Sequence, residues 1–122
     1  EARPAAPDGR PRPRLRAAAT DLAGATDWLL ATYAREPRRV AAGAVFYLRL
    51  LGNVAAGWLM ATAAAKAGAR LAESGGEGRF LSAKLKSARY FADTRLAESG
   101  SLRGKFVAAG DALQGFDPDP HL

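Results

Sequence analysis

The side chains able to do chemistry are few and poorly grouped. Glu73 and Glu77 form one candidate carboxylate pair, and Asp93 and Glu98 form another. General acid–base work needs two carboxyl groups held across one cleft. Glu73 and Glu77 instead sit in or beside the run Ser74-Gly75-Gly76-Glu77-Gly78, while Asp93 and Glu98 fall on the polar side of a helical pattern. All four read as solvated surface charges. Ser82, Ser87 and Thr94 have no accompanying base to activate a hydroxyl. The chain has no cysteine and one histidine, His121, next to the last residue. That composition excludes a thiolate nucleophile, a cysteine zinc site and a histidine-rich metal site, and it leaves no Ser-His-Asp arrangement. The glycine run lacks the Lys-Ser/Thr of a phosphate loop and no strand precedes it. No catalytic residue and no metal site is expected.

Cations offer more. Lys84, Lys86 and Arg89 form a basic group that suits either a solvated face or contact with an anion or partner domain. Arg49 lies between Leu48 and Leu50, one turn before Asn53 and two before Gly57, with Trp58 close behind. A charge in such surroundings must be paired or well hydrogen-bonded. Arg49 is therefore expected to bridge helices, with Asp93, Glu98 and Asp111 as acidic candidates. The net charge is +6, and half of it comes from residues 1–16, where Arg3, Arg10, Arg12, Arg14 and Arg16 outnumber Glu1 and Asp8. Pro4, Pro7, Pro11 and Pro13 interrupt that stretch and favour an extended or disordered, solvated arm over residues 1–14. It reads as a linker. The competing reading, an arm tracking phosphates, lacks the interleaved aromatics that would stack on bases.

These groups need a scaffold, and the composition points to helices. A chain of 122 residues fits one domain. Alanine supplies 29 positions, aromatics make up 8%, and isoleucine is absent. Alanine favours helix because it loses no side-chain entropy there. Leu15, Ala19, Leu22, Thr26, Leu29 and Tyr33 recur every three or four residues, predicting a helix over 15–35 that ends at Glu36-Pro37. A long second helix over 38–72 follows, apolar on several faces, with a small-residue strip at Gly57, Ala61, Ala64 or Ala65, and Gly68. Its length predicts a kink near Gly52 or Gly68. Val40 to Ala65 carries one charge, which raises a membrane span, but a central Arg49 is costly in hydrocarbon. A soluble core helix is preferred. Helices over 79–97 and 101–115 complete an all-α antiparallel four-helix bundle spanning 15–116, with a tail over 117–122. Trp58, Tyr47, Leu51 and Val54 are expected to pack on the Leu102–Phe106–Leu113 stripe or on Leu22–Leu29.

Two stretches carry a resemblance. Phe46-Tyr47-Leu48-Arg49-Leu50-Leu51-Gly52-Asn53-Val54-Ala55-Ala56-Gly57-Trp58-Leu59-Met60 and Phe80-Leu81-Ser82-Ala83-Lys84-Leu85-Lys86-Ser87-Ala88-Arg89-Tyr90-Phe91-Ala92 resemble the extra C-terminal helical domain of a branch of the acyl-CoA dehydrogenases. That branch includes the 3-methylmercaptopropionyl-CoA dehydrogenases. Leu51, where phenylalanine is common, and Ala97, where proline often stands, depart from its pattern. The resemblance implies an oxidoreductase that moves two hydrogens from the α and β carbons of an acyl-CoA onto FAD. The catalytic glutamate and the flavin belong to domains preceding this one, and no residue here matches that glutamate's motif. By resemblance the chain is a non-catalytic accessory module packing on catalytic domains or on a neighbouring subunit of a cytoplasmic homo-oligomer. Arg49, Asn53, Trp58, Lys84, Lys86 and Arg89 are its candidate interhelix or interface residues. The alternatives are a stand-alone basic helical module for nucleic acid and a membrane-associated protein.

Overall fold

The computed structural model describes residues 11–73 and 78–113. It holds α1 (Pro11–Tyr33), α2 (Pro37–Ala42), α3 (Ala44–Glu73) and α4 (Gly78–Thr94), then a 3-10 turn (Leu96–Glu98) and α5 (Ser99–Leu113). The four long helices α1, α3, α4 and α5 form the antiparallel bundle, and the short α2 lies chiefly along α5. No strand occurs among the described residues.

Helix boundaries depart from the sequence pattern where proline and glycine act. α1 starts at Pro11, four residues before the first apolar position, so part of the expected arm is helical. Pro11 and Pro13 both fall in the first turn, where backbone N–H groups have no intrahelical partner and a missing one costs nothing. Residues 1–10, the Gly-rich residues 74–77 and the tail 117–122 lie outside the described residues. At the other end of α1 the Thr32 carbonyl accepts from the N–H groups of Arg35 (3.1 Å) and Glu36 (2.9 Å), and Pro37 opens α2 as expected. The long second helix breaks at Gly43, and not near Gly52 or Gly68. Ideal Cβ positions at Gly43 and Gly110 explain the location. At Gly43 the added carbon would run into the Phe106 carbonyl and lie 3.0 Å from the Phe106 Cα. At Gly110 it would come within 2.5 Å of the Arg39 carbonyl. The α2–α3 corner and α5 thus meet backbone to backbone, which only glycine allows on both sides.

Two adjoining clusters make the core. The larger is built from Ala25, Val40, Leu50, Leu102 and Phe106, with Leu22, Trp28, Leu29, Tyr47 and Val54 packed around it. Phe106 lies 4.9 Å from Trp28 in an edge-to-face arrangement (78°) and 5.1 Å from Tyr47. Tyr47 shares a 2.8 Å hydrogen bond with Thr26, whose hydroxyl also donates to the Leu22 carbonyl, so the phenol is satisfied. The smaller cluster joins Ala18, Ala92 and Leu96, and Val54 touches both. The small-residue strip of α3 meets a close neighbour over part of its length: Leu96 covers Gly57 and Ala64 is buried, whereas an added carbon at Gly68 would meet nothing within 4 Å, and Ala67 is buried in its place.

Several core assignments are corrected. Trp58, Leu51 and Leu113 are exposed, and Leu50 occupies the position expected of Leu51. On α1 the fully buried positions are Ala18 and Ala25, while Tyr33 is exposed. α3 is buried along one strip and not on most sides. Only 11% of its most apolar window is covered by the fold.

Polar ties link the helix ends. Asp21 falls off the apolar stripe of α1, yet it accepts from the Ser99 hydroxyl at 2.8 Å and faces Arg103 at 3.5 Å. It places a carboxylate at the N-terminal end of α5, where the helix dipole favours negative charge. Asp21→Ala is expected to lower unfolding free energy by about 1.5–3 kcal/mol in chemical denaturation, the range for losing hydrogen bonds to a charged group. Arg39 does the equivalent work at the α2–α5 corner. Its guanidinium bonds Glu36 at 3.2 Å and pairs with Asp111, 5.9 Å from the centre of the Trp28 ring. Burial opposes its charge, but the hydrogen bonds and attraction of Glu36 and Asp111 prevail and hold its pKa above the ordinary arginine value.

Candidate functional site

The outer face of α3 is the feature without a role in the fold. Val45, Leu48, Leu51, Trp58 and Leu59 are all exposed there; Leu48 stands 64%, Trp58 59% and Leu59 61% open. Monomeric proteins scatter single apolar residues over their surfaces, but an aligned set is a mark of interaction. The alignment follows from the local sequence. Tyr47, Leu50, Val54 and Gly57 recur every three or four residues and turn inward, which forces Leu48, Leu51, Trp58 and Leu59 outward.

Two clefts flank this face. Between α1 and α3 lies a cleft of about 760 Å³, lined by Leu15, Ala19, Val54 and Trp58 and edged by Arg12 and Arg16. Between α3 and α4 lies a second of about 420 Å³, lined by Met60, Ala63, Phe80 and Ala83 and edged by Lys84 and Ser87. Leu59 borders both, so it stands as a ridge between them. The walls are mainly carbon. Hydrogen-bonding groups of the kind that hold a flavin ring or a pyrophosphate are not gathered in either cleft, and no flavin chemistry is assigned to these residues. Among the described residues no three acidic or histidine side chains converge on a metal-binding point.

The six candidate residues separate. Asn53 donates its amide to the Arg95 carbonyl at 3.3 Å, tying α3 to the segment after α4. Arg49 is exposed, and its side chain makes no hydrogen bond or ion pair with any described residue. Two of its three acidic candidates are engaged elsewhere, Asp111 with Arg39 and Asp93 with Arg14 at 3.7 Å and Arg89 at 4.0 Å, and the third, Glu98, is exposed and makes no ion pair with Arg49. The bridging role falls to Arg39 and Arg103, which sequence reasoning missed. Arg49 escapes burial because it lies three residues from Phe46 and one from Leu50, on the flank that turns away from the core. Lys84 lies 5.2 Å from the centre of the Phe80 ring, and Lys86 is exposed. Trp58 belongs to the cleft and not the core. Trp58→Ala is accordingly expected to change the unfolding free energy by less than about 1 kcal/mol, read from thermal or denaturant midpoints.

α3 also meets the length and composition required to cross a bilayer, over Ala44–Leu71.

Comparison with known proteins places this arrangement. A family model described as "Acetyl-CoA dehydrogenase C-terminal like" matches residues 9–117. The chain is 40% identical over 100 residues to the 3-methylmercaptopropionyl-CoA dehydrogenase of Ruegeria pomeroyi. That alignment takes in 82% of this chain but 17% of the relative, confined to the relative's C-terminal part. No solved structure matches. With every described helix inside the family match, the chain belongs to the C-terminal helical domain family of the acyl-CoA dehydrogenases.

Proposed function

We propose that this chain serves as a non-catalytic accessory domain of a flavin-dependent acyl-CoA dehydrogenase, packing on its catalytic domains or on a neighbouring subunit. One observation carries the reading: a member of this family leaves the apolar outer face of α3 open along four turns. Trp58 is the central contact, with Lys84 at the margin of the same face and Arg49 on its flank, while Lys86 and Arg89 lie on other sides of α4 and serve a separate part of the interface. The unit corresponds to residues 15–116 with the helical turn before it, preceded by a linker and followed by the tail 117–122. The enzyme it serves acts in the cytoplasm as a homo-oligomer, removes hydrogens from the α and β carbons of an acyl-CoA, and holds FAD in its other domains.

The test compares the 122-residue chain with the complete polypeptide that contains it. The chain alone is expected to be colourless after gel filtration and inactive on acyl-CoA substrates. The complete polypeptide is expected to carry flavin absorbance and reduce an electron acceptor when given acyl-CoA. Stoichiometric flavin on the short chain, or a complete polypeptide without dehydrogenase sequence, would overturn the proposal. The bilayer-length apolar span of α3 favours a second reading, a membrane-associated module. Flotation of the complete polypeptide with vesicles separates the two.

A further inference from the structure

The clefts beside α3 carry charge of one sign. Arg12 and Arg16 edge the first and Lys84 the second, and no carboxylate lines either. Arg12 and Arg16 form no ion pair with a described residue. From Val45 to Leu59 the exposed ridge runs about 21 Å, at the helical rise of roughly 1.5 Å per residue.

We infer that the outer face of α3 seats an apolar helix bearing carboxylates on its flanks, supplied by the catalytic body of the dehydrogenase. This identification of the occupant rests on the accessory-domain reading above. The Leu59 ridge enters the groove between two side-chain rows of the incoming helix, and those rows fill the clefts on either side. That is ridge-into-groove packing, which needs a ridge with a depression on both flanks. The cationic edges then select the partner. A second copy of this chain would bring Arg12, Arg16 and Lys84 against the same cations, and like charges across an interface disfavour association. Aspartate or glutamate on the flanks of the incoming helix complements all three. Arg49, exposed beside Leu48, adds a fourth cation along the same helix.

The experiment places a photo-crosslinking benzoylphenylalanine at Leu59 in the complete polypeptide, followed by peptide mapping. The expected product joins Leu59 to an apolar helical segment of the dehydrogenase body with Asp or Glu within a turn or two on either side. Reversing Arg12, Arg16 and Lys84 to Glu is expected to lower the cross-link yield about tenfold, the effect of losing three modest ion pairs. The body's flavin spectrum serves as the folding control. A cross-link to α3 of a second copy, or to a segment flanked by Lys and Arg, would overturn the inference. So would capture only in the presence of phosphatidylglycerol vesicles. An intact flavoprotein with no cross-link at Leu59 would sink the docking assignment and leave the accessory-domain reading standing. Capture of an acid-flanked helix outside any dehydrogenase would sink that reading and with it the identity of the occupant.

Discussion

Phe106→Ala is expected to destabilise the bundle by about 3–5 kcal/mol, the range for truncating a buried aromatic. Phe106 is fully buried and forms the point where four elements meet. Trp28 of α1 meets the ring edge to face, Tyr47 of α3 lies tilted beside it, and Val40 of α2 and Leu102 of its own helix close the sides. The walls of the resulting cavity cannot collapse easily, because Gly43 already holds the α2–α3 corner against the backbone of residue 106. For a domain of this size the expected fall in thermal midpoint exceeds roughly 12 °C. Circular dichroism at 222 nm gives the midpoint. The near-ultraviolet signal should report the lost Trp28 packing even below the transition, since Trp58 is open to solvent. Phe106→Leu, which retains most of the volume, is expected to recover more than half of the loss.

Gly43→Ala is expected to cost about 2–3 kcal/mol, an unusual effect for a single methyl group. The added carbon meets the carbonyl and Cα of Phe106, which are backbone atoms and cannot rotate aside. Relief requires α5 to move away from the corner, and that motion also loosens the Arg39 pairs with Glu36 and Asp111. Gly110→Ala attacks the same contact from the other helix, through the Arg39 carbonyl. The double variant should therefore cost less than the sum of the two, because either one already separates the elements. Gly104→Ala is the control. It sits in α5 with nothing within 4 Å of its added carbon, so alanine there is expected to stabilise the protein by about 0.5–1 kcal/mol. Equilibrium urea unfolding of the four variants orders them directly.

The residues that tie the bundle together were harder to read than the helices themselves. Nothing in the sequence around Arg39 or Asp21 sets either apart from the other charged residues. The partners that tie them across the bundle lie 72 and 78 to 82 positions away in the chain. No local pattern announces a contact at that separation. Arg49 carried the opposite error. Its neighbours Leu48 and Leu50 suggested burial, but adjacent positions on a helix point about 100° apart, so one apolar neighbour can be buried and the other exposed. The signal that could have helped was the inward series Tyr47, Leu50, Val54, Gly57, continued through the alanines to Ala64. Followed strictly at intervals of three and four, it puts Arg49 and Trp58 outside.

Composition and periodicity alone determined that the chain is an all-α bundle, that Pro37 divides the first helix from the next, and that Gly57 of α3 faces a close neighbour. Those properties are local: alanine propensity, the φ of proline and the spacing of apolar side chains act within a turn or two. The residues of the two quoted stretches determined the family as well. Tertiary structure decided which apolar face of α3 would be inside. That helix has apolar residues on several sides, so its own sequence satisfies more than one rotation about its axis. The choice is made where Gly43 admits the backbone of Phe106 and Gly57 admits Leu96, contacts that turn Leu50 inward. The same rotation leaves Leu48, Trp58 and Leu59 on the surface. Close packing of small residues set the interior, and the docking face is the apolar surface that packing left over.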